Sequence, residues 1–153
     1  MKKLKGFTLV ELLVVISLIG VLATLIFANL NAARERARDA VRKSDLRNIQ
    51  TALRLYYNDN AGYPSNSGYN IVGCGSGASP ISCVYGEAWT RDVTYMNILP
   101  DDPLSSQGYS YLGVAGNESY TLSACLENKS DEKGESTTNL TWCPSGWKYV
   151  VKP

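Results

Sequence analysis

Histidine is absent from the 153 residues. That removes the commonest general base and the imidazole metal ligand, so His-dependent triads and zinc sites built on His are excluded. Cysteine is sparse: there are four, and no two form a CxxC pair, which speaks against a zinc knuckle or a dithiol redox motif. Proline and glycine are missing between Val21 and Asn60, so nothing in that stretch breaks a helix. A large net charge is missing too, since 15 basic and 14 acidic side chains leave +1. No nucleotide-binding motif and no catalytic constellation is present, so an enzyme is not expected.

The near-neutral total hides an asymmetry. Residues 1–54 carry ten basic and four acidic side chains, and residues 55–153 carry five and ten. An acidic C-terminal part argues against direct nucleic-acid binding, which calls for a basic surface. Apolar side chains are crowded into residues 7–28, where they fill 17 of 22 positions. As a helix that run spans about 33 Å, enough for a hydrocarbon core of ~30 Å. Lys2, Lys3 and Lys5 precede it, and basic flanks stay cytoplasmic, so the residues after it are expected outside.

An ordinary signal anchor and a secretory signal peptide both compete for this segment. A signal peptide usually has an apolar region of about 7–15 residues and a small-x-small cleavage site. Here the run is longer, and Phe27-Ala28-Asn29 is a poor site. Glu11 points to a third reading. A carboxylate inside an apolar helix is costly unless paired. Nothing in the surrounding run can neutralise it, so a partner from outside the segment is expected.

Gly6-Phe7-Thr8-Leu9-Val10-Glu11, behind a short basic leader and ahead of the apolar run, resembles the prepilin motif of the type IV filament family, which comprises pilins and the pseudopilins of type II secretion. The resemblance implies cleavage between Gly6 and Phe7 by a membrane-embedded prepilin peptidase, N-methylation at Phe7, and an assembly role for Glu11. Cleavage creates a cation at Phe7. One subunit's Phe7 amine beside a neighbour's Glu11 carboxylate satisfies two charges that are costly alone, and so fixes an axial register. The implied partners are further copies in a helical filament, the peptidase, a pilus or secretion assembly platform, and the membrane. The precursor is expected in the cytoplasmic membrane, single-pass with its head outside, and the assembled subunit in an extracellular filament. Many family members carry proline where Ala28 stands; without it, unwinding around residues 20–28, which include Gly20, is less expected.

The expected organisation is a leader at 1–6, one long helix at 7–57 whose residues 7–28 form the transmembrane or filament core, and a globular head at 58–153. The helix would be about 75 Å long. Val41, Leu46, Ile49, Leu53 and Tyr56 form an amphipathic stripe, with Arg42, Arg47, Gln50 and Arg54 on other faces. The stretch from Arg34 to Arg54, seven basic and three acidic residues, reads as a solvated face near an anionic membrane or as a partner for the acidic heads of neighbouring subunits. Asn58-Asp59-Asn60-Ala61-Gly62-Tyr63-Pro64 ends the helix. The Ser- and Gly-rich residues 65–86 read as a loop outside the core. Trp89, Val93 and Met96 at helical spacing predict a short helix within Glu87–Leu99. Tyr109–Val114 and Ser119–Cys125 alternate as a β-hairpin, and Trp147–Val151 reads as a last strand. The fold class is α+β, type IV pilin-like, with the long helix packed on a small antiparallel sheet. In the head, Leu55–Pro64, Trp89, Leu99–Pro103, Tyr109–Tyr111 and Tyr120–Leu122 resemble the landmark order of major pseudopilins and related pilins.

Four cysteines in an outward-facing domain suggest two disulfides, with three possible connectivities. The expected pairing is Cys74–Cys83, which staples the Gly/Ser loop, and Cys125–Cys143, which closes the C-terminal loop; free buried thiols are the other reading. The resemblance places a C-terminal disulfide loop commonly in pilins, and an Asp-rich calcium loop commonly in major pseudopilins. It therefore implies a pilus-like filament subunit first and a major pseudopilin of type II secretion as the alternative. A membrane-anchored binding domain that never assembles is the third reading. Glu127, Asn128, Asp131, Glu132 and Glu135 offer oxygen ligands but match no EF-hand spacing, so a solvated acidic loop is favoured over calcium and no cofactor is expected. The N-x-S/T triplets at Asn117, Asn128 and Asn139 are of a kind that arises by chance. The tyrosines of the head fit a sheet core better than a stacking surface for nucleic acid.

Overall fold

A computed structural model describes residues 6–153, and of residues 25–29 only the backbone. Residues 1–5 of the expected leader lie outside the described residues. The first element, α1, runs from Leu9 to Asn60. It ends where Ala61 takes a left-handed conformation (φ 53°) and the Asn60 side-chain amide donates to the Tyr56 carbonyl at 2.9 Å, occupying an acceptor that the last turn leaves open. Residues 58–60, expected to lie beyond the helix, instead form its final turn.

The chain divides into two units, Met1–Glu35 and Arg36–Pro153. The division falls inside α1 and not after residue 57, because from Asp39 onward one face of the helix belongs to the core of the second unit.

In that unit three antiparallel sheets follow the helix. Strands β1 (Ser65–Ser67), β2 (Asn70–Cys74) and β3 (Ile81–Ser82) form one sheet in chain order. Strands β4 (Trp89–Arg91) and β5 (Val93–Met96) form a hairpin. Strands β6 (Ser110–Gly113), β7 (Tyr120–Cys125), β8 (Gly134–Ser136) and β9 (Trp147–Val151) make the largest sheet, in the order β6-β7-β9-β8. The β6–β7 hairpin and β9 stand where the alternation placed them. Strand β8, three residues with only one half-buried, carries too little alternation to be read from sequence.

The helix contributes Leu46, Ile49, Leu53 and Tyr56 to a single core with Ile71, Trp89, Leu99, Tyr111, Tyr120 and Leu122. Burying each of these large side chains contributes about 1.5–3 kcal/mol. Most aromatic rings meet edge-on or tilted, with Tyr63 and Tyr120 centroids 4.7 Å apart and Tyr56 and Tyr95 5.2 Å, while Tyr111 and Tyr120 stack at 5.7 Å. Most head tyrosines are therefore core residues, and Tyr69 is an exposed exception.

Three expectations are corrected. Residues 65–86 are not a loop outside the core: they form β1–β3, and Ile71, Cys74 and Cys83 are buried. Nor is there a helix between Glu87 and Leu99. Trp89 pairs across the hairpin with Met96, and Asp92 makes the reversal at φ 56°. The spacing of Trp89, Val93 and Met96 suits a helix, but Thr90, Val93, Thr94 and Tyr95 favour a strand, and Val93 is half exposed. The stripe on α1 is also shifted. Val41 is 47% exposed, whereas Arg42, assigned to an outer face, is completely buried.

Candidate assembly site

The N-terminus of α1 is built by four residues. Gly6 and Phe7 precede the helix, and Phe7 is 78% exposed. Thr8 caps it: its hydroxyl accepts from the Glu11 amide at 3.2 Å, while the Glu11 carboxylate accepts from the Thr8 amide at 2.8 Å and from the Thr8 hydroxyl at 2.7 Å. This reciprocal arrangement is a capping box, satisfying donors that the first turn would otherwise leave unpaired. It adds a local hydrogen-bond partner to the expectation that nothing in the surrounding run can neutralise Glu11. The signal, Thr followed three residues later by Glu, was open to view in the sequence. Thr8 supplies hydrogen bonds but no positive charge, so the carboxylate still lacks a counter-ion among the described residues.

Beyond Glu11 the helix presents apolar side chains on every side. From Leu9 to Leu22 each leucine, valine and isoleucine is 44–79% exposed. The hydroxyls of Ser17 and Thr24 bond back to the carbonyls of Val14 and Val21, at 2.8 and 2.7 Å, so neither asks for water. A Cβ at Gly20 would meet nothing within 4 Å. Among the described residues no helix is long and apolar enough to cross a membrane. The expected span reached Ala28, and the side chains of residues 25–29 lie outside the described set.

The second unit holds an ion cluster that sequence reasoning distributed elsewhere. Arg42 donates to both carboxylate oxygens of Asp102 (2.7 and 2.8 Å), to Asp39 (2.8 Å) and to Glu127 (2.7 Å). Burial alone would favour a neutral guanidine; the hydrogen bonds and charges of Asp102, Glu127 and Asp39 outweigh it and raise the Arg42 pKa. Arg38 also pairs with Glu127, and Lys43 with Asp131. The hydrogen bond from Arg38 holds Glu127 below the usual carboxylate range, and the one from Lys43 does the same for Asp131. Asp39 accepts the backbone amides of Glu127 and Asn128 at 3.0 and 2.9 Å, which ties the C-terminal loop to the helix. Arg38, Arg42 and Lys43, three of the seven basic residues of this stretch, therefore pair with the chain's own head, and Arg42 is not a solvated residue.

Four of the five oxygen ligands considered for calcium have partners within the chain. Glu127 and Asp131 face cations of α1, Glu135 lies 3.2 Å from Lys148, and Asn128 accepts from the Ser130 amide. Among the described residues no three His, Cys, Asp or Glu side chains are gathered to hold a metal ion. The cysteines form Cys74–Cys83 and Cys125–Cys143, each with Cα atoms 5.1 Å apart. The second bridge closes the segment that carries β8. Trp147 on β9 covers Gly134 so closely that a Cβ there would lie 1.9 Å from its indole nitrogen.

Residues 1–27 match the prokaryotic N-terminal methylation motif, and residues 29–141 match the model of type II secretion system protein G. The chain belongs to the type II secretion protein G family. Its relatives include the type II secretion system core protein G of Klebsiella pneumoniae, 36% identical over 69% of this chain and 73% of that one. The core protein G of Vibrio cholerae is 31% identical over 90% and 89%. The type IV wide pilus major component PilA4 of Thermus thermophilus is 38% identical over 56% of this chain and 64% of that one. No solved structure matches. Members of the protein G family are structural subunits of the pilin and pseudopilin class, and the methylation motif implies processing by prepilin peptidase.

Proposed function

We propose that this chain is the repeating subunit of a type IV pilus-like filament, cut between Gly6 and Phe7, methylated at Phe7, and assembled through Glu11. In this reading residues 1–6 are the leader, 7–57 the stem and 58–153 the head, with 7–28 anchoring the precursor in the cytoplasmic membrane, head outside. The observation that carries it is the apolar surface of Leu9–Leu22, uncovered on every side and bearing one carboxylate at its start. Such a surface needs lipid before assembly and other copies of itself after it. A neighbour's Phe7 amine supplies the charge that Thr8 does not. Further partners are the peptidase and an assembly platform in the membrane.

A second reading, the major pseudopilin of a type II secretion apparatus, is favoured by the family match over residues 29–141. The Cys125–Cys143 loop supports the pilus. The test has two stages. Intact mass of the chain from a sheared surface fraction should show methylated Phe7 at the N-terminus and four hydrogens fewer than the reduced chain. A chain still starting at Met1 would overturn processing. Deletion should then remove a visible surface filament; loss of secreted folded proteins with filaments unaffected would instead select the pseudopilin.

A further inference from the structure

The face of the largest sheet that turns away from α1 carries a cup that none of the foregoing uses. Strand register decides which side chains floor it. Ser110 on β6 lies opposite Ser123 on β7, and Lys148 on β9 lies opposite Cys125. Their strand neighbours Tyr111, Leu122 and Ala124 go to the core, so alternation sends Ser110, Ser123 and Lys148 to the other side. Ser110 and Ser123 are only 4% and 5% exposed, yet no group among the described residues engages their hydroxyls. Neither hydroxyl is sealed from solvent; two adjacent hydroxyls that line a cavity with no protein partner among the described residues are donors and acceptors open to a ligand.

Two aromatic rings wall the cup. The loop closed by Cys125–Cys143 brings Trp142, and the turn between β1 and β2 brings Tyr69; their centroids are 6.2 Å apart and their planes tilted by 42°. Both are pinned. The Trp142 indole donates to the Gly108 carbonyl at 3.1 Å, and the Asn139 amide donates to the Tyr69 hydroxyl at 2.9 Å. The enclosed volume is about 130 Å³, well below the ~300 Å³ at which pockets begin to take drug-sized ligands.

We propose that this cup binds a single pyranose ring, the terminal sugar of an extracellular saccharide. Fixed aromatic faces carry a negative π-surface that suits the C–H face of a sugar. The serine hydroxyls and the Asn139 amide can exchange hydrogen bonds with its hydroxyls. A phosphate or nucleotide fits less well, because the one cation at the cup, Lys148, is already 3.2 Å from Glu135. The inference does not depend on which filament the subunit builds.

The test is saturation-transfer NMR on the full chain, in a detergent without a sugar headgroup, with methyl glucoside, methyl galactoside and N-acetylglucosamine as probes. At least one should receive saturation on the protons of one ring face, with an affinity near millimolar, Kd about 1 mM. Tyr69→Ala removes an exposed wall and Ser123→Val removes floor hydrogen bonding. Each should weaken binding about tenfold or more while the thermal transition stays within a few degrees. No transfer to any of the three sugars, or transfer unchanged in both variants, would overturn the proposal.

Discussion

Residues 9–22 and 39–56 lie on one helix and divide their side chains in opposite ways. In the first stretch leucine, valine and isoleucine stand exposed. In the second, Arg42 is fully buried and Asp39 nearly so, while Val41 between them is half exposed. Burial on α1 is therefore decided by what covers the helix and not by the polarity of its residues. The second stretch is covered by its own head, which supplies Asp102 and Glu127 to satisfy the guanidinium. The described part of the first has no cover from the described residues of its own chain.

The largest effect expected from this contrast is on assembly. Glu11→Ala should abolish recovery of the subunit in sheared filaments, while the thermal transition of the head, followed by near-UV circular dichroism, stays unchanged. Normal filament yield would show that the exposed half does not need its carboxylate. Breaking the covered half is the next largest. Arg42→Met leaves Asp39 and Asp102 buried without a counter-ion and should cost about 3–5 kcal/mol of stability, measured by denaturant titration of the full chain in detergent. A loss under about 1 kcal/mol would mean that water reaches the cluster.

Acid should act on the same half. Glu127 and Asp131 lie below their ordinary values because of Arg38 and Lys43. Their contribution is complete above the unfolded carboxylate range, about pH 4–4.5, and is lost as pH falls through the lowered folded values. Burial raises the pKa of Asp45, against the hydrogen bond from Tyr109, so this group gains as pH falls and offsets part of the loss. The melting temperature should drop between pH 5 and 3 in the parent chain, and drop less in Glu127→Gln. Equal pH dependence in the two would remove Glu127 from the account. The smallest effect belongs to Val41→Thr, which should move stability by no more than about 0.5 kcal/mol. A larger loss would place Val41 in a contact within the core.

The residues of the candidate site are local in sequence: the Gly6-Phe7 junction, Glu11 and the apolar run all sit within one short segment. The Thr8–Glu11 cap is equally local, but it shows only when Glu11 is read as a hydrogen-bond acceptor as well as a charge. In the head, the β6–β7 hairpin and β9 were readable because their alternation is regular. The β4–β5 hairpin was not, since a spacing of four and three fits a helix while the chain turns at a single left-handed Asp92. Strands β1–β3 are short and rich in Ser and Gly, and they gain their order from pairing and from Cys74–Cys83.

What the sequence determined by itself is what depends on neighbours along the chain: an uninterrupted helix, its cap, its apolar surface and the processing motif. Tertiary structure alone decided which charges are buried and which hydroxyls are left free above the sheet. The charge pairings with the head join residues 60 to 89 positions apart, such as Arg42 with Asp102 and Arg38 with Glu127. Helical periodicity can assign residues to a face, but it cannot say that the face opposite carries a carboxylate. Only the folded head brings that partner within hydrogen-bonding distance.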